Sequence, residues 1–318
     1  MKIVVRPWLR VLTPLMLVLT FVLLSGCSSE QYIVMDPKGP IGESQKDLIW
    51  ITTILCAAIV VPVLVLTGII AYRYRDRKGS KAAYTPEWEH STKLETIWWG
   101  IPIVVIIALA LVTAKYTYAL EPSKPIESAK ETMTIQVTSL DWKWMFNYPE
   151  QGITTVNYLQ IPEDVPIKFE LTSDTAMNSF WIPQLGGQMY TMSGMAMTLH
   201  LQADEQGRYF GTGANFTGKD FAKMTFDVNA TSEEEFNSWV EEVKDTSPAL
   251  TMEGFEQLRQ PGTSGVVTYS SFPEGLFNKI MAQYAVGGSA HQHHGGGHSA
   301  ETDHSKDAQE GHSDSNNH

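Results

Sequence analysis

The chain has 318 residues, a formal net charge of −12 and only two cysteines, Cys27 and Cys56. An acidic chain argues against nucleic acid as a partner. Two cysteines, one of them inside an apolar segment, exclude a disulfide framework and a cysteine-based zinc or iron–sulfur site.

The first 26 residues have the pattern of a secretory signal peptide. Three basic residues precede an apolar run from Leu15 to Leu24, which is too short to span ~30 Å of hydrocarbon. The run ends in Leu24–Ser–Gly–Cys27, which resembles the lipobox of bacterial lipoprotein precursors. The resemblance implies cleavage before Cys27 and a lipid on its thiol. A third membrane helix with a chance cysteine is the alternative.

After an outer segment at 27–47, two membrane helices are predicted, at 48–72 and 96–118. Leu48 to Tyr72 holds no charged residue, and neither does Ile97 to Ala114. Pro62 and Pro102 fall inside these stretches, as membrane helices tolerate.

The loop between them, 73–95, is predicted to be cytoplasmic because it is basic. Its basic residues are Arg73, Arg75, Arg77, Lys78, Lys81 and Lys93. Both ends of the mature chain then face outside, and the lipobox requires the same orientation independently.

Region 119–229 is predicted to be an antiparallel β-sandwich or barrel, because short segments of alternating hydrophobicity follow one another between Gly and Pro turns. His200 alternates outward with Thr198, which predicts a surface histidine. Region 230–286 is predicted to be helical, with a capping box at Ser232 and Glu235.

The tail, 287–318, is predicted to be disordered because it has almost no apolar residues. Its seven histidines could bind Zn²⁺ or Cu²⁺ weakly or simply be solvated. They are His291, His293, His294, His298, His304, His312 and His318.

Nearly the whole chain from Cys27 to about Tyr284 resembles subunit II of the haem–copper respiratory oxidases. Several phrases resemble the bo-type ubiquinol oxidase branch in particular. They are Asp36–Pro–Lys–Gly39, Ala119–Leu–Glu–Pro–Ser–Lys–Pro125, Asp141–Trp–Lys–Trp144, Tyr148–Pro–Glu–Gln–Gly152 and Met177–Asn–Ser–Phe180. The implied fold is a two-helix membrane hairpin, then an all-β cupredoxin-like sandwich and a short helical C-terminal region.

The cytochrome c oxidase branch of this family holds two copper ions in the sandwich. This sequence can be matched to the motif of that copper site, but most of the ligand residues are replaced. The two histidine positions fall on Asn178 and Phe221, and the two cysteine positions on Gly213 and Thr217. Met224 alone keeps the family's ligand type. Copper needs thiolate and imidazole ligands, so the resemblance implies a sandwich with no metal and no redox cofactor.

Glu95, at the cytoplasmic start of the second helix, is the candidate for a role in proton transfer. In the bo-type family the matching glutamate lies at the mouth of a proton-uptake channel of subunit I, and the resemblance implies the same role here. The alternative is a glutamate favoured only by the helix macrodipole.

The resemblance implies a non-catalytic subunit of a proton-pumping ubiquinol oxidase in the bacterial plasma membrane. Its implied partners are the lipid bilayer, a catalytic subunit I with the haems and one copper, and smaller subunits III and IV. Electrons would come from ubiquinol and not from cytochrome c. Two rivals are a cytochrome c oxidase subunit II and a membrane lipoprotein that carries copper or assists assembly.

Overall fold

A computed structural model describes residues 32–75, 85 and 87–285. The predictions about the signal peptide, Cys27, most of the basic loop and the histidine-rich tail concern residues outside these ranges.

Within the described residues, two long apolar helices precede the β-strands, α1 over Pro40–Arg73 and α2 over Thr92–Ala119. Both are long and apolar enough to cross a membrane. Each begins earlier than predicted, at residue 40 instead of 48 and at residue 92 instead of 96. Hydropathy finds only the apolar part of a helix, whereas Pro40 in the first turn and the capping Ser91 determine where the backbone turns helical.

The outer end of α1 is hydrogen-bonded to the domain that follows the helices. The backbone N–H of Lys38 donates to the carbonyl of Gln184 at 2.8 Å, and that of Gly42 donates to Leu185 at 3.1 Å. A Cβ atom on Gly39 would lie 2.1 Å from the carbonyl oxygen of Gln202, so only glycine allows this approach.

In the part of the chain that the structure describes, eleven strands form a sandwich of two sheets. The strands are β1 (Met133–Leu140), β2 (Lys143–Tyr148), β3 (Ile153–Val156), β4 (Tyr158–Pro162), β5 (Ile167–Ser173), β6 (Asn178–Trp181), β7 (Met189–Thr191), β8 (Met197–Leu201), β9 (Gly207–Gly213), β10 (Thr225–Thr231) and β11 (Val267–Tyr269). One sheet has the order β11-β3-β2-β1-β5-β8 and the other β4-β10-β9-β6-β7. The membrane hairpin followed by a β-sandwich confirms the predicted fold class.

The prediction of purely antiparallel pairing is wrong for two strand pairs. Strands β1 and β5 pair in parallel, and so do β4 and β10. The chain visits other strands between the members of each pair, which gives it the room to return in the same direction.

Aromatic rings fill the space between the sheets. Phe180 and Phe226 stack with centroids 5.2 Å apart, and Trp144 meets Phe180 edge-on at 5.4 Å. Phe146 packs on Phe226 at 5.2 Å, and all four side chains are buried. These rings hold strands of both sheets in register.

The C-terminal region packs on the sandwich at two places: its first helix joins the main core, and its second and third helices lie against Leu140 and Met145 of the larger sheet. Its helices are α3 (Glu233–Thr246), α4 (Met252–Leu258) and α5 (Leu276–Tyr284). The hydroxyl of Ser232 accepts from the N–H of Glu235 at 3.2 Å, as the capping box predicts. The region is not helical throughout, because β11 adds a strand to the sheet beside β3.

The prediction that His200 lies on the surface is wrong. His200 is only 6% exposed, and its Nδ1 lies 3.2 Å from the carbonyl oxygen of Pro122. Its backbone N–H donates to the same oxygen, so the linker that leaves α2 covers this edge strand. Burial lowers the pKa of the His200 imidazole.

A buried ion pair fastens the C-terminal region to the sandwich. Arg259 donates to both carboxylate oxygens of Asp174, at 2.7 and 3.1 Å, and the Asp174 side chain is 2% exposed. The hydroxyl of Tyr284 donates to the Asp174 carbonyl at 2.6 Å. Burial raises the pKa of the Asp174 carboxyl, and the Arg259 guanidinium opposes that rise.

Replacing Arg259 by glutamine should lower the free energy of unfolding by about 3 kcal/mol at neutral pH, because Asp174 is then buried without its cation. The loss should shrink as the pH falls through the raised pKa of the folded Asp174, since protonation removes the unpaired charge. Thermal unfolding of the full chain in detergent, followed by circular dichroism at several pH values, measures both effects.

Lys244→Gln is the matched control, because it breaks an exposed pair, Lys244 with Glu241 at 3.1 Å. It should change the stability by no more than about 0.5 kcal/mol at any of these pH values. Equal losses in the two variants, or a loss for Arg259→Gln that grows on acidification, would contradict the role given to the buried pair.

Candidate functional site

Three of the five positions that match copper ligands come together at one end of the sandwich. Asn178 begins β6, Gly213 ends β9 and Met224 directly precedes β10. The Asn178 amide Nδ2 donates to the Met224 sulfur at 2.9 Å, and the Gly213 N–H donates to the Met224 carbonyl at 2.9 Å. All three residues are buried. An amide–thioether hydrogen bond therefore occupies this end of the core.

The other two positions lie on the loop between β9 and β10. Phe221 begins a short 3-10 turn, and its ring meets that of Phe216 edge-on, with centroids 5.8 Å apart. Phe216 is 82% exposed. The hydroxyl oxygen of Thr217 is buried and has no hydrogen-bond partner among the described residues. A thiol at position 217 would lose less on burial than this hydroxyl does.

These five positions do not fit copper. They offer an amide, a glycine, a hydroxyl, a phenyl ring and one thioether, where a copper site needs thiolates and imidazoles. Within residues 32–75, 85 and 87–285, no group of three or more His, Cys, Asp or Glu side chains could hold a metal ion. We derive no electron-transfer step through this part of the sandwich.

An indole ring fastens the loop between β9 and β10. Trp142 has a φ of 61°, a left-handed conformation that is rare for a bulky residue. Its Nε1 donates to the carbonyl of Thr217 at 3.3 Å. A Cβ atom on Gly218, whose φ is 114°, would lie 3.3 Å from the indole. The strained turn at Trp142 thus places the ring against the loop that carries Thr217.

Glu95 lies in the first turn of α2, on the opposite end of the hairpin from the sandwich. Its Oε1 accepts from the backbone N–H of Ser91 at 3.3 Å, and the positive end of the helix macrodipole favours its negative charge. The side chain is 42% exposed. The carboxylate is therefore held in place and still open to solvent.

His90 is a neighbour of Glu95 that the sequence analysis missed. Its Nδ1 lies 3.5 Å from the Glu95 Oε1, and its side chain is 86% exposed. A histidine shortly before a capped helix that starts with a glutamate was the available signal. An exposed imidazole and a partly exposed carboxylate therefore lie side by side at the start of α2.

Three family models match successive parts of the chain. The model for the transmembrane domain of cytochrome c oxidase subunit II matches residues 27–115, and that for its periplasmic domain matches residues 150–231. The COX aromatic rich motif matches residues 244–288, which include α4, β11 and α5.

Curated relatives match over most of their own length. The chain is 43% identical over 267 residues to ubiquinol oxidase subunit 2 of Acetobacter aceti, covering 83% of this chain and 86% of the relative. It is 48% identical over 266 residues to quinol oxidase subunit 2 of Bacillus subtilis, covering 82% of each. It is 45% identical over 267 residues to cytochrome bo(3) ubiquinol oxidase subunit 2 of Pseudomonas putida, covering 84% of each.

Among solved structures, the periplasmic domain of subunit II of cytochrome oxidase of Bradyrhizobium japonicum matches with a TM-score of 0.36 and 22% identity. The match covers 38% of this chain and 98% of that one.

Four substitutions are expected to build a copper site in the sandwich: Asn178→His, Gly213→Cys, Thr217→Cys and Phe221→His, with Met224 retained. Gly213 is not among the described glycines with a positive φ, so a cysteine there meets no left-handed strain. Its Cβ would lie 3.0 Å from the Asn178 amide, a side chain that the variant also replaces. Copper should give an intense purple, mixed-valence absorption, read by visible spectroscopy.

The unmodified chain is the control and should give no thiolate-to-copper absorption with excess copper. A folded quadruple variant that stays colourless would show that the five positions are wrongly matched to the copper ligands.

Proposed function

The chain belongs to the subunit 2 family of ubiquinol and quinol oxidases, and we propose that it serves its oxidase without a redox centre of its own. It is a two-pass membrane protein with a periplasmic domain. The complex it belongs to oxidises ubiquinol and reduces O₂ to water while it pumps protons.

The observation that carries this proposal is the amide–thioether contact between Asn178 and Met224, at 2.9 Å, where copper-bearing relatives place ligands. Because these positions offer neither a thiolate nor an imidazole, the sandwich would not hold the copper that receives an electron from cytochrome c. Electrons from the membrane quinol must therefore go directly to another subunit.

The proposed partners of this chain are the subunits that would carry the redox centres and complete the membrane part. Subunit I holds the haems and one copper, and subunits III and IV complete the membrane part. The periplasmic sandwich covers the outer side of subunit I, and α1 and α2 pack against its membrane helices. The backbone bonds from Lys38 and Gly42 to the sandwich support a fixed placement of the domain above the hairpin.

Glu95 is proposed to take up protons on the cytoplasmic side and pass them to a channel of subunit I. The carboxylate is half exposed, is oriented by the Ser91 N–H and stands at the end of a membrane helix. A carboxylate in this position can accept a proton from water and release it again toward a protein path.

Glu95→Ala and Glu95→Gln should both slow quinol oxidation by the assembled oxidase, by roughly ten- to hundred-fold, at or below the range for loss of a positioned general acid. Glutamine keeps an oxygen that can accept from Ser91 but cannot carry a proton, so it separates proton transfer from helix capping. Glu95→Asp should be milder. Oxygen consumption measures turnover, and the visible spectrum checks that the haems are in place.

Glu43→Ala is the control, because Glu43 lies in the first turn of α1 on the outer side. It should leave turnover unchanged. Normal steady-state activity in Glu95→Gln, or full activity restored by a capping residue that cannot be protonated, would count against proton uptake at Glu95.

The lipid anchor at Cys27 is also a proposal. Cleavage before Cys27 would leave a mature chain of charge −15, because three basic residues leave with residues 1–26. A lipid on Cys27 would place the residues before Tyr32 at the outer leaflet, the same side as the periplasmic sandwich. The chain would thus be held in the inner membrane by two helices and one lipid group.

Mass spectrometry of the purified chain should find an N-terminus at a lipid-modified Cys27. Cys27→Ala should remove the lipid and leave the chain in the membrane fraction, because two membrane helices hold it more firmly than acyl chains do. An intact Met1 N-terminus, or an unmodified Cys27 in the wild-type chain, would refute the anchor.

A further inference from the structure

We propose that His90 is the residue that donates protons to Glu95. This inference rests on the proton-uptake role proposed for Glu95, and it adds a second titratable residue to that site. The observation behind it is the direct approach of the imidazole to the same carboxylate oxygen that the helix cap holds.

The geometry gives the two groups different functions. Glu95 is fixed, since its Oε1 accepts from the Ser91 N–H at 3.3 Å, and its side chain is 42% exposed. His90 stands outside it, with Nδ1 at 3.5 Å from that oxygen and 86% of its side chain exposed. A proton from the cytoplasm therefore meets the imidazole first and the carboxylate second.

The charged surroundings favour capture of cations. Among the described residues, Glu95 is the carboxylate within 4.0 Å of the His90 ring. Glu87 and Glu89 precede it in the same segment, and Lys93 follows it on the first turn of α2; all three are exposed. In the stretch 87–95, next to the imidazole, three carboxylates stand against one lysine, while the other basic residues of the loop lie at 73–81.

The transfer balances without a further reactant. The protonated ring gives its Nδ1 proton to the Glu95 carboxylate, which leaves a neutral imidazole and a carboxylic acid. The acid releases that proton toward the channel and returns to a carboxylate, while the ring takes a new proton from water or buffer. An imidazole suits this cycle because its ring nitrogens can both donate and accept a proton.

A purely orienting role for His90 makes a different prediction. If the ring only holds Glu95 by a hydrogen bond, glutamine should replace it, since its amide donates a hydrogen bond but cannot be titrated. If the ring supplies protons, glutamine should fail most where protons in solution are scarce, and a soluble imidazole should replace the missing ring.

The test uses the purified oxidase complex with His90→Gln, in weak buffer from about pH 6 to about pH 8. Turnover should fall a few-fold near pH 8, well below the roughly hundred-fold loss typical of a missing general acid, because water still reaches Glu95. The deficit should vanish toward pH 6, and added imidazole should restore the rate near pH 8. Glu43→Ala, at the outer end of α1, should behave as wild type.

The two proposals fail in different ways. A slow Glu95→Gln beside a His90→Gln that matches wild type at every pH overturns the role of His90 alone. A His90→Gln deficit that is independent of pH and insensitive to imidazole also overturns it, because the ring then only orients Glu95. Normal turnover of Glu95→Gln overturns proton uptake at Glu95, and the role of His90 with it. His90→Asn replaces His90→Gln if that variant does not assemble.

Discussion

The aromatic packing between the two sheets is the contact on which the rest of the periplasmic domain depends. Phe180 on β6 stacks on Phe226 on β10, while Trp144 on β2 meets Phe180 from the opposite sheet. Such pairs contribute about 0.5–1.5 kcal/mol each beyond the burial of their area. Because Asn178 and Met224 each stand two residues before one of the stacked rings, the same packing fixes the place where a metal would sit. The positions of Asn178 and Met224 therefore depend on this apolar packing.

Buried polar contacts hold the C-terminal region against the sandwich. Lys143 is buried, and its Nζ donates to the carbonyls of Gln260 and Gly262 at 2.7 and 2.8 Å. Burial lowers the pKa of this ammonium group. Together with the pair of Arg259 and Asp174, it ties the chain around residue 260 to the sandwich. Buried charges are costly to leave unpaired, so these contacts specify one docking position.

The membrane hairpin separates two kinds of chemistry. At its outer end, backbone hydrogen bonds and the close approach at Gly39 join the hairpin to the periplasmic domain. The proposed role of that domain is structural. At its other end, Glu95 and His90 are exposed titratable groups beside a helix cap. In the function proposed above, the subunit serves its oxidase through placement of the sandwich on one side and proton supply by Glu95 on the other.

The sequence by itself determined the features that depend on composition or on residues near each other in the chain. The apolar stretches gave the two helices, the alternation gave the strands, and Ser232 with Glu235 gave a helix start, because each signal is local. The resemblance supplied the five positions matched to copper ligands and the candidate proton carrier Glu95. Tertiary structure decided what depends on distant partners: the burial of His200 under Pro122, the strand β11 in a region predicted to be helical, and the parallel pairing of β1 with β5. It also decided that His90 reaches Glu95, since a side-chain distance depends on how the chain turns into the helix, and hydropathy and spacing do not specify that turn.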